Sequence, residues 1–278
     1  IGSVGVMLPS TPMHHLLLDL VGRPVVMTSG NRSEEPIAAG NDEALGRLAA
    51  VADGFLFHDR EIVSRQDDSV LRSTTAGPVI LRRARGLAPL PLGLPAASPV
   101  PLLAFGADLK NTFTLVEGTR AYVSQHIGNL DTLETIEHFR DTLDRFERLF
   151  QITPAVTVRD LHPGYVTSRL AEDHEAGCTM TVQHHHAHIA AVMAEHGVTR
   201  PVIGLAFDGT GYGDDGHTWG AEVLLAEAAG LRRVAGGGSG SAGPEGASVE
   251  TAVRADRRLS QRQKTALLAV YRSMVESS

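Results

Sequence analysis

Apolar positions change their period several times along this chain, and the changes mark its elements. In the stretch Asp131 to Phe150, Ile136, Phe139, Leu143, Phe146 and Phe150 recur at three- and four-residue steps, the period of an amphipathic helix. Asp131 with Glu134 resembles a capping box for it, with Asp in place of the usual Ser or Thr. Short apolar runs read as strands at Val4 to Leu8, Pro24 to Thr28, Gly54 to Phe57, Ser69 to Arg72 and Val79 to Arg83. Between them Pro12 suits the first turn of a helix reaching Leu20. Asn41, with Asp42 and Glu43, caps another helix running to about Ala52. Further strands are expected at Leu102 to Gly106, Thr112 to Val116, Ala121 to Gln125, Ala155 to Val158, Thr179 to Gln183, Val202 to Phe207 and Thr218 to Ala226. Glu117-Gly118-Thr119-Arg120 makes the second and third of these a hairpin. Helices are expected over Tyr165 to Ala176 and His185 to His196. Strands and helices in this alternation predict an α/β protein with mixed sheets.

Composition divides the chain. Prolines at 89, 91, 95, 99 and 101 exclude helix and central strand, so Gly86 to Pro101 reads as a semi-rigid linker, narrowest at 95–101. It separates a first domain, 1–94, from a second, 102–235. Residues 236–248 are glycine- and serine-rich and read as a flexible linker. The tail 249–278 sets Arg254, Arg257, Arg258, Arg262, Lys264 and Arg272 against Glu250, Asp256 and Glu276. Ser260 is placed to cap a helix there, with Leu267, Leu268, Tyr271 and Val275 as its stripe. The 278 residues carry a net charge of −7, which argues against a general nucleic-acid binder. The one cysteine, Cys178, excludes an internal disulfide and a cysteine-based zinc ribbon; it fits a reducing cytoplasm and reads as a small core residue. No apolar run has the length of a membrane span, and no basic-then-apolar leader opens the chain. A start at Ile1, already inside strand and helix, reads as a piece of something longer.

Candidate chemistry gathers at six places. Four of the thirteen histidines fall in the five positions His184 to His188. On a helix His184 and His188 share one face, and two neutral imidazoles at that spacing can grip one divalent metal; the same spacing also opens helices that hold nothing. Phe207-Asp208-Gly209-Thr210-Gly211 follows a strand; its glycines free backbone N–H groups for phosphate, and Asp208 can hold a metal directly or through water. Gly106-Ala107-Asp108-Leu109-Lys110-Asn111-Thr112 resembles a first phosphate loop, with Lys110 neutralising charge. Thr28-Ser29-Gly30-Asn31 lets backbone approach a phosphate or acyl group, or is a plain polar turn. Arg65, Arg72 and Arg82 converge on Ser69, as guanidinium forks around a phosphate or carboxylate or as a solvated surface. A sixth motif, Asp160-Leu161-His162-Pro163-Gly164-Tyr165, either faces the cleft with His162 or packs a turn.

Taken in order, these motifs resemble a known family. Val4-Gly5-Val6-Met7-Leu8-Pro9, Thr11-Pro12-Met13-His14-His15, Met27-Thr28-Ser29-Gly30-Asn31, Glu35-Pro36-Ile37, Asp67-Asp68-Ser69-Val70 and Arg82-Arg83-Ala84-Arg85-Gly86 are similar to the YrdC-like domain of the hydrogenase-maturation carbamoyltransferases, HypF. Asp160 to Tyr165, Val182 to His188 and Asp208 to Gly213 are similar to that family's actin-like (ASKHA) ATPase domain. The resemblance covers about Ile1 to Ala235 and implies a partial YrdC-like domain followed by one lobe of the ATPase fold. It implies use of ATP and carbamoyl phosphate to make carbamoyl adenylate. The carbamoyl group then passes to a C-terminal cysteine thiolate of a HypE-type acceptor, with no membrane and no direct nucleic-acid partner. Thr28, Ser29, Asn31, Arg65, Ser69, Arg72 and Arg82 would form the nucleotide and carbamoyl-adenylate site of the first domain. Asp108, Lys110, Asn111, Asp208, Gly209, Thr210 and Gly211 would bind phosphate in the second. His184, His188 and Asp208 would hold a divalent metal: Mg, Zn or Fe. The family's acylphosphatase domain, its zinc fingers and the back ATPase lobe have no counterpart in this reading. Two other readings stand beside it: a relative making threonylcarbamoyl adenylate for tRNA modification, and a non-catalytic remnant that binds nucleotide or metal.

Overall fold

The computed structural model describes residues 4–209, 211–227 and 230–238, with positions 254, 261, 264, 265 and 268 of the tail. Most of the expected tail helix and most of the expected linker at 236–248 lie outside the described residues.

The second domain holds the core. Its six-stranded sheet runs in the order β3 (Leu92–Gly93), β6 (Arg120–Val123), β5 (Thr114–Glu117), β4 (Leu102–Ala104), β7 (Val156–Asp160), β8 (Cys178–Val182). The β5–β6 pair is the expected hairpin, turning at Gly118 with φ 57. β4, β7 and β8 are parallel, so their C-terminal ends open on the same edge. Helix α3 (Leu133–Phe150) covers the sheet, burying Phe139, Leu143 and Phe146. Phe113, fully buried, meets the Phe139 and Phe146 rings edge-on at 5.4 and 5.1 Å. The cap of α3 is Thr132, whose hydroxyl accepts from the Thr135 N–H; Asp131 is one residue too early for the expected capping box. Helix α4 (Val166–Asp173) follows β7, and α5 (His184–Glu195) follows β8.

A second sheet is built on β11 (Thr218–Glu227). β9 (Val202–Ala206) and the short β10 (Gly211–Tyr212) pair with it, and so does β12 (Gly230–Gly238), all antiparallel. β12 was not expected, and it takes Gly236 to Gly238 out of the glycine-rich linker read from composition. Its reason is local. The Glu222 carboxylate, fully buried, receives Arg233 Nε at 2.5 Å and Nη2 at 2.8 Å, while the guanidinium stacks 4.0 Å over Trp219. Gly236 stands opposite Glu222, where a Cβ would overlap that carboxylate. Glycine there makes room for a buried ion pair.

The first part of the chain has fewer partners. Helix α1 (Pro12–Val21) is capped by Thr11, and α2 (Asn41–Leu48) by Glu43, which accepts from the N–H groups of Ala39 and Gly40. Gly40 stands at the cap position expected of Asn41, whose amide donates instead to the His58 carbonyl, and α2 ends before the expected Ala52. β1 (Val70–Thr74) and β2 (Gly77–Arg82) form a hairpin. The segments expected as strands at Val4 to Leu8, Pro24 to Thr28 and Gly54 to Phe57 join no sheet among the described residues. Val4 and Val26 are 89% and 99% exposed, so the apolar pattern is present but no ladder satisfies it. The expected linker Gly86 to Pro101 is instead laid against the β5–β6 hairpin. Leu92 pairs with Ala121, and the N–H groups of Leu94 and Ser98 donate to Thr119 and Gly118 carbonyls. Cys178, read as a core residue, opens β8 exposed to solvent.

Candidate metal and phosphate site

Three strand ends build the site. Asp160 closes β7, Gln183 and His184 follow β8, and Asp208 follows β9. β7 and β8 are parallel neighbours in register Asp160 to Val182, which sets Asp160 beside the start of α5. Gln183 caps that helix, its Oε1 accepting from the His186 N–H at 3.0 Å. The helix then aims His184 and His188 from one face, four residues apart.

His184 Nε2 and His188 Nε2 lie 3.2 Å apart, and Asp208 Oδ2 is 2.6 Å from the first and 3.5 Å from the second. All three donor atoms fall within 4.8 Å of one another. Around a tetrahedral ion with bonds of about 2.1 Å, ligand atoms stand about 3.4 Å apart. Two of the three edges already match; the His184–Asp208 edge is a hydrogen bond that opens by under ~1 Å when an ion replaces its proton. A His, His, Asp donor set therefore fits one divalent cation.

Behind the ligands stands Asp160, which the spacing argument did not reach. Its Oδ2 takes the His184 Nδ1–H at 2.6 Å, and its Oδ1 takes the His162 backbone N–H at 2.8 Å. A carboxylate on Nδ1 fixes the proton there and turns the Nε2 lone pair toward the ion. The same hydrogen bond raises the His184 pKa, against burial that lowers it. The signal was the aspartate ending a strand parallel to the one before the histidines, which needs the strand order to be seen. His185 and His186 take no part. His185 is fully buried against Trp219, and burial lowers the pKa of both.

Several expected phosphate contacts are spent on structure. Asp108 caps α4, accepting from Val166 N at 2.8 Å and Thr167 N at 3.1 Å. Asn111 is buried and donates to the Ala107 carbonyl. Gly211 is small because His185 packs on it, where a Cβ would overlap the ring. Gly209 has open space before it, and Lys110 is held at φ 49 with its N–H on Asn129 Oδ1. Thr210 lies outside the described residues.

The first-domain candidates divide likewise. Ser29, Asn31, Arg65 and Arg82 line a cavity of about 260 Å³ between the two domains, completed by His126, Asn129, Thr135 and His138. Arg65 is braced by the Ile37 carbonyl and Glu43, and Arg82 by the Asp68 carbonyl. Arg82 and His126 also line a second cavity of about 400 Å³, which Lys110 reaches. Thr28 and Arg72 are exposed outside the first cavity, and the Ser69 hydroxyl is spent joining Arg85 O to Ala84 N. Burial holds His138 down to about 4, with Arg65 adding to it.

Fold and site define a two-domain protein: an N-terminal domain of YrdC type and an actin-like, Kae1-type domain with a His, His, Asp cluster. Family models agree. Residues 1–84 match the Sua5/YciO/YrdC model described as telomere recombination, 97–195 the HypF Kae1-like domain, and 204–252 the second subdomain of the carbamoyltransferase Kae1-like domain. Carbamoyltransferase HypF of Synechocystis sp. is 49% identical over 80% of this chain and 29% of its own. The probable carbamoyltransferase HypF of Methanocaldococcus jannaschii is 38% identical over 84% and 31%. The crystal structure of full-length HypF in a phosphate- and nucleotide-bound form superposes with TM-score 0.79 at 45% identity, covering 83% of this chain and 36% of that one. HypF of T. kodakarensis gives TM-score 0.75 at 40% identity over 84% and 31%. The chain belongs to the HypF carbamoyltransferase family. It spans about three-tenths of the length of these relatives.

Proposed function

We propose that this chain serves carbamoyl transfer in [NiFe]-hydrogenase maturation, in the cytoplasm. ATP, carbamoyl phosphate and water yield carbamoyl adenylate, pyrophosphate and inorganic phosphate, and the carbamoyl group passes to the C-terminal cysteine thiolate of a HypE-type acceptor as AMP leaves. The observation that carries the reading is the His184–His188–Asp208 cluster, backed by Asp160, inside a Kae1-like domain joined to a YrdC-like one. In this reading residues 1–94 and 102–235 are the two working units. Ser29, Asn31, Arg65 and Arg82 hold the adenylate in the cavity between them.

His184, His188 and Asp208 would hold the divalent ion, and two imidazoles favour zinc or iron over magnesium, which prefers oxygen. Such an ion polarises a phosphoryl oxygen and orients it. The chain's own residues do the remaining work. Asp160 keeps the His184 proton on Nδ1, Gly209 exposes backbone to a phosphate, and Lys110 offers positive charge at the second cavity. Carbamoyl-phosphate-dependent exchange of labelled pyrophosphate into ATP tests the reading. Exchange that needs threonine and bicarbonate instead of carbamoyl phosphate moves the chain to the tRNA-modifying readers of the same folds. No exchange, with no metal-linked ATP binding in calorimetry, leaves a non-catalytic remnant.

A further inference from the structure

His162 has no role in the metal cluster, yet its ring is fixed with unusual care. Its Nδ1 accepts the Gly164 N–H at 3.0 Å, so Nδ1 carries no proton and the neutral ring carries it on Nε2. Gly164 lies against the Cε1 and Nδ1 side, at 3.0 and 3.3 Å from where its Cβ would be, and this leaves the Nε2 side facing away from the turn. The ring stacks on Tyr165 at 4.3 Å and 13°, and meets Tyr212 edge-on at 5.3 Å. Tyr165 ends the turn after Asp160, and Tyr212 lies in the short strand β10 that follows Asp208. The His162 backbone N–H shares the Asp160 carboxylate with His184. The half-buried imidazole therefore packs against residues that follow both Asp160 and Asp208, and no hydrogen bond joins its Nε2 to a described residue.

We infer that His162 Nε2–H is a substrate-contacting donor, directed at an anionic phosphate oxygen of the ligand held at the His184–His188–Asp208 cluster. The inference rests on the proposed function for the ligand's class. A neutral, tautomer-locked imidazole suits this task because it donates one hydrogen bond in a fixed direction and adds no charge to be neutralised. A hydrogen bond to a charged oxygen is among the stronger ones.

Two substitutions separate this role from packing. In His162→Asn the amide oxygen reaches the Nδ1 position and still accepts from Gly164, but nothing reaches the Nε2 position. In His162→Gln the amide nitrogen reaches the Nε2 position and the Gly164 contact is lost. Calorimetric titrations would use the zinc-loaded chain with inorganic phosphate, carbamoyl phosphate and ATP in separate arms, beside titration with zinc alone. The expected result is an Asn variant that takes zinc normally but binds phosphate ligands about ten- to a hundredfold more weakly, with the Gln variant recovering much of the loss. The arm with the largest loss identifies the phosphate that His162 meets. An Asn variant that binds as the native chain does, or a Gln variant that fails while Asn succeeds, makes His162 a turn residue and overturns the inference alone. A native chain that takes zinc but none of the three ligands overturns the proposed function with it.

Discussion

Asp160→Asn is the sharpest perturbation the site allows, because it changes one atom and reverses one proton. Asp160 is nearly buried and uses both oxygens. With the amide oxygen in the place of Oδ1, Asn still accepts the His162 N–H, so the turn after β7 is kept. Its amide nitrogen then stands where Oδ2 stood, 2.6 Å from His184 Nδ1. Two donors cannot face each other there, so Nδ1 must give up its proton and Nε2 must carry it. Nε2 is the atom that faces His188 and Asp208, and a protonated nitrogen cannot ligate.

Loss of an outer partner of this kind weakens a metal site by about ten- to a hundredfold, or ~1.4–2.7 kcal/mol. Competitive titration of the metal-stripped chain with zinc, and separately with manganese, measures it. His184→Ala supplies the reference for a lost ligand, and thermal melting of the metal-free proteins reports whether the turn survives. A metal Kd for Asp160→Asn within threefold of native, beside a large loss for His184→Ala, would show that the Asp160 hydrogen bond does not set the tautomer. The reasoning would then be wrong at its central step.

Other consequences follow from buried groups. His138 titrates near about 4 when folded against ~6.5 unfolded, so the unfolded chain gains the proton first. Stability is full above pH ~6.5 and falls by about 2 kcal/mol by pH ~5, and urea midpoints of native and His138→Gln chains should diverge at neutral pH and converge in acid. Gly211→Ala drives a methyl into the His185 ring and should cost about 1–3 kcal/mol in chemical denaturation; an unchanged midpoint would mean the β10 loop moves freely. Asp108→Ala removes the cap of α4 and should cost about 1–2 kcal/mol while leaving phosphate affinity within threefold. A selective loss of phosphate binding there would return Asp108 to the ligand site.

What the sequence made legible was whatever depends on neighbours in the chain. The three- and four-residue steps of Ile136 to Phe150 are a property of one helix, and α3 formed where they lay. His184 and His188 needed only one helical turn, and their imidazoles converge. The Val4, Val26 and Phe57 runs failed as strands because a strand needs a partner, and pattern alone supplies none. β12 was hidden for the opposite reason. Its glycines read as flexible until Glu222 and Arg233 came to lie across from them.

Asp160 shows where this boundary falls within the site itself. It lies 24 residues before His184, and no period connects the two. What connects them is that β7 and β8 are parallel and adjacent, so the residue ending one strand stands beside the residue starting the helix after the other. Parallel neighbours place their C-terminal ends together whatever the length of chain between them, which is why ligands gather at that edge in open α/β sheets. A donor set can thus be read from spacing, while the group that fixes its protons is read only from strand order. For an ion to be held there, the second is as necessary as the first: a histidine with its proton on the ligating nitrogen offers no lone pair.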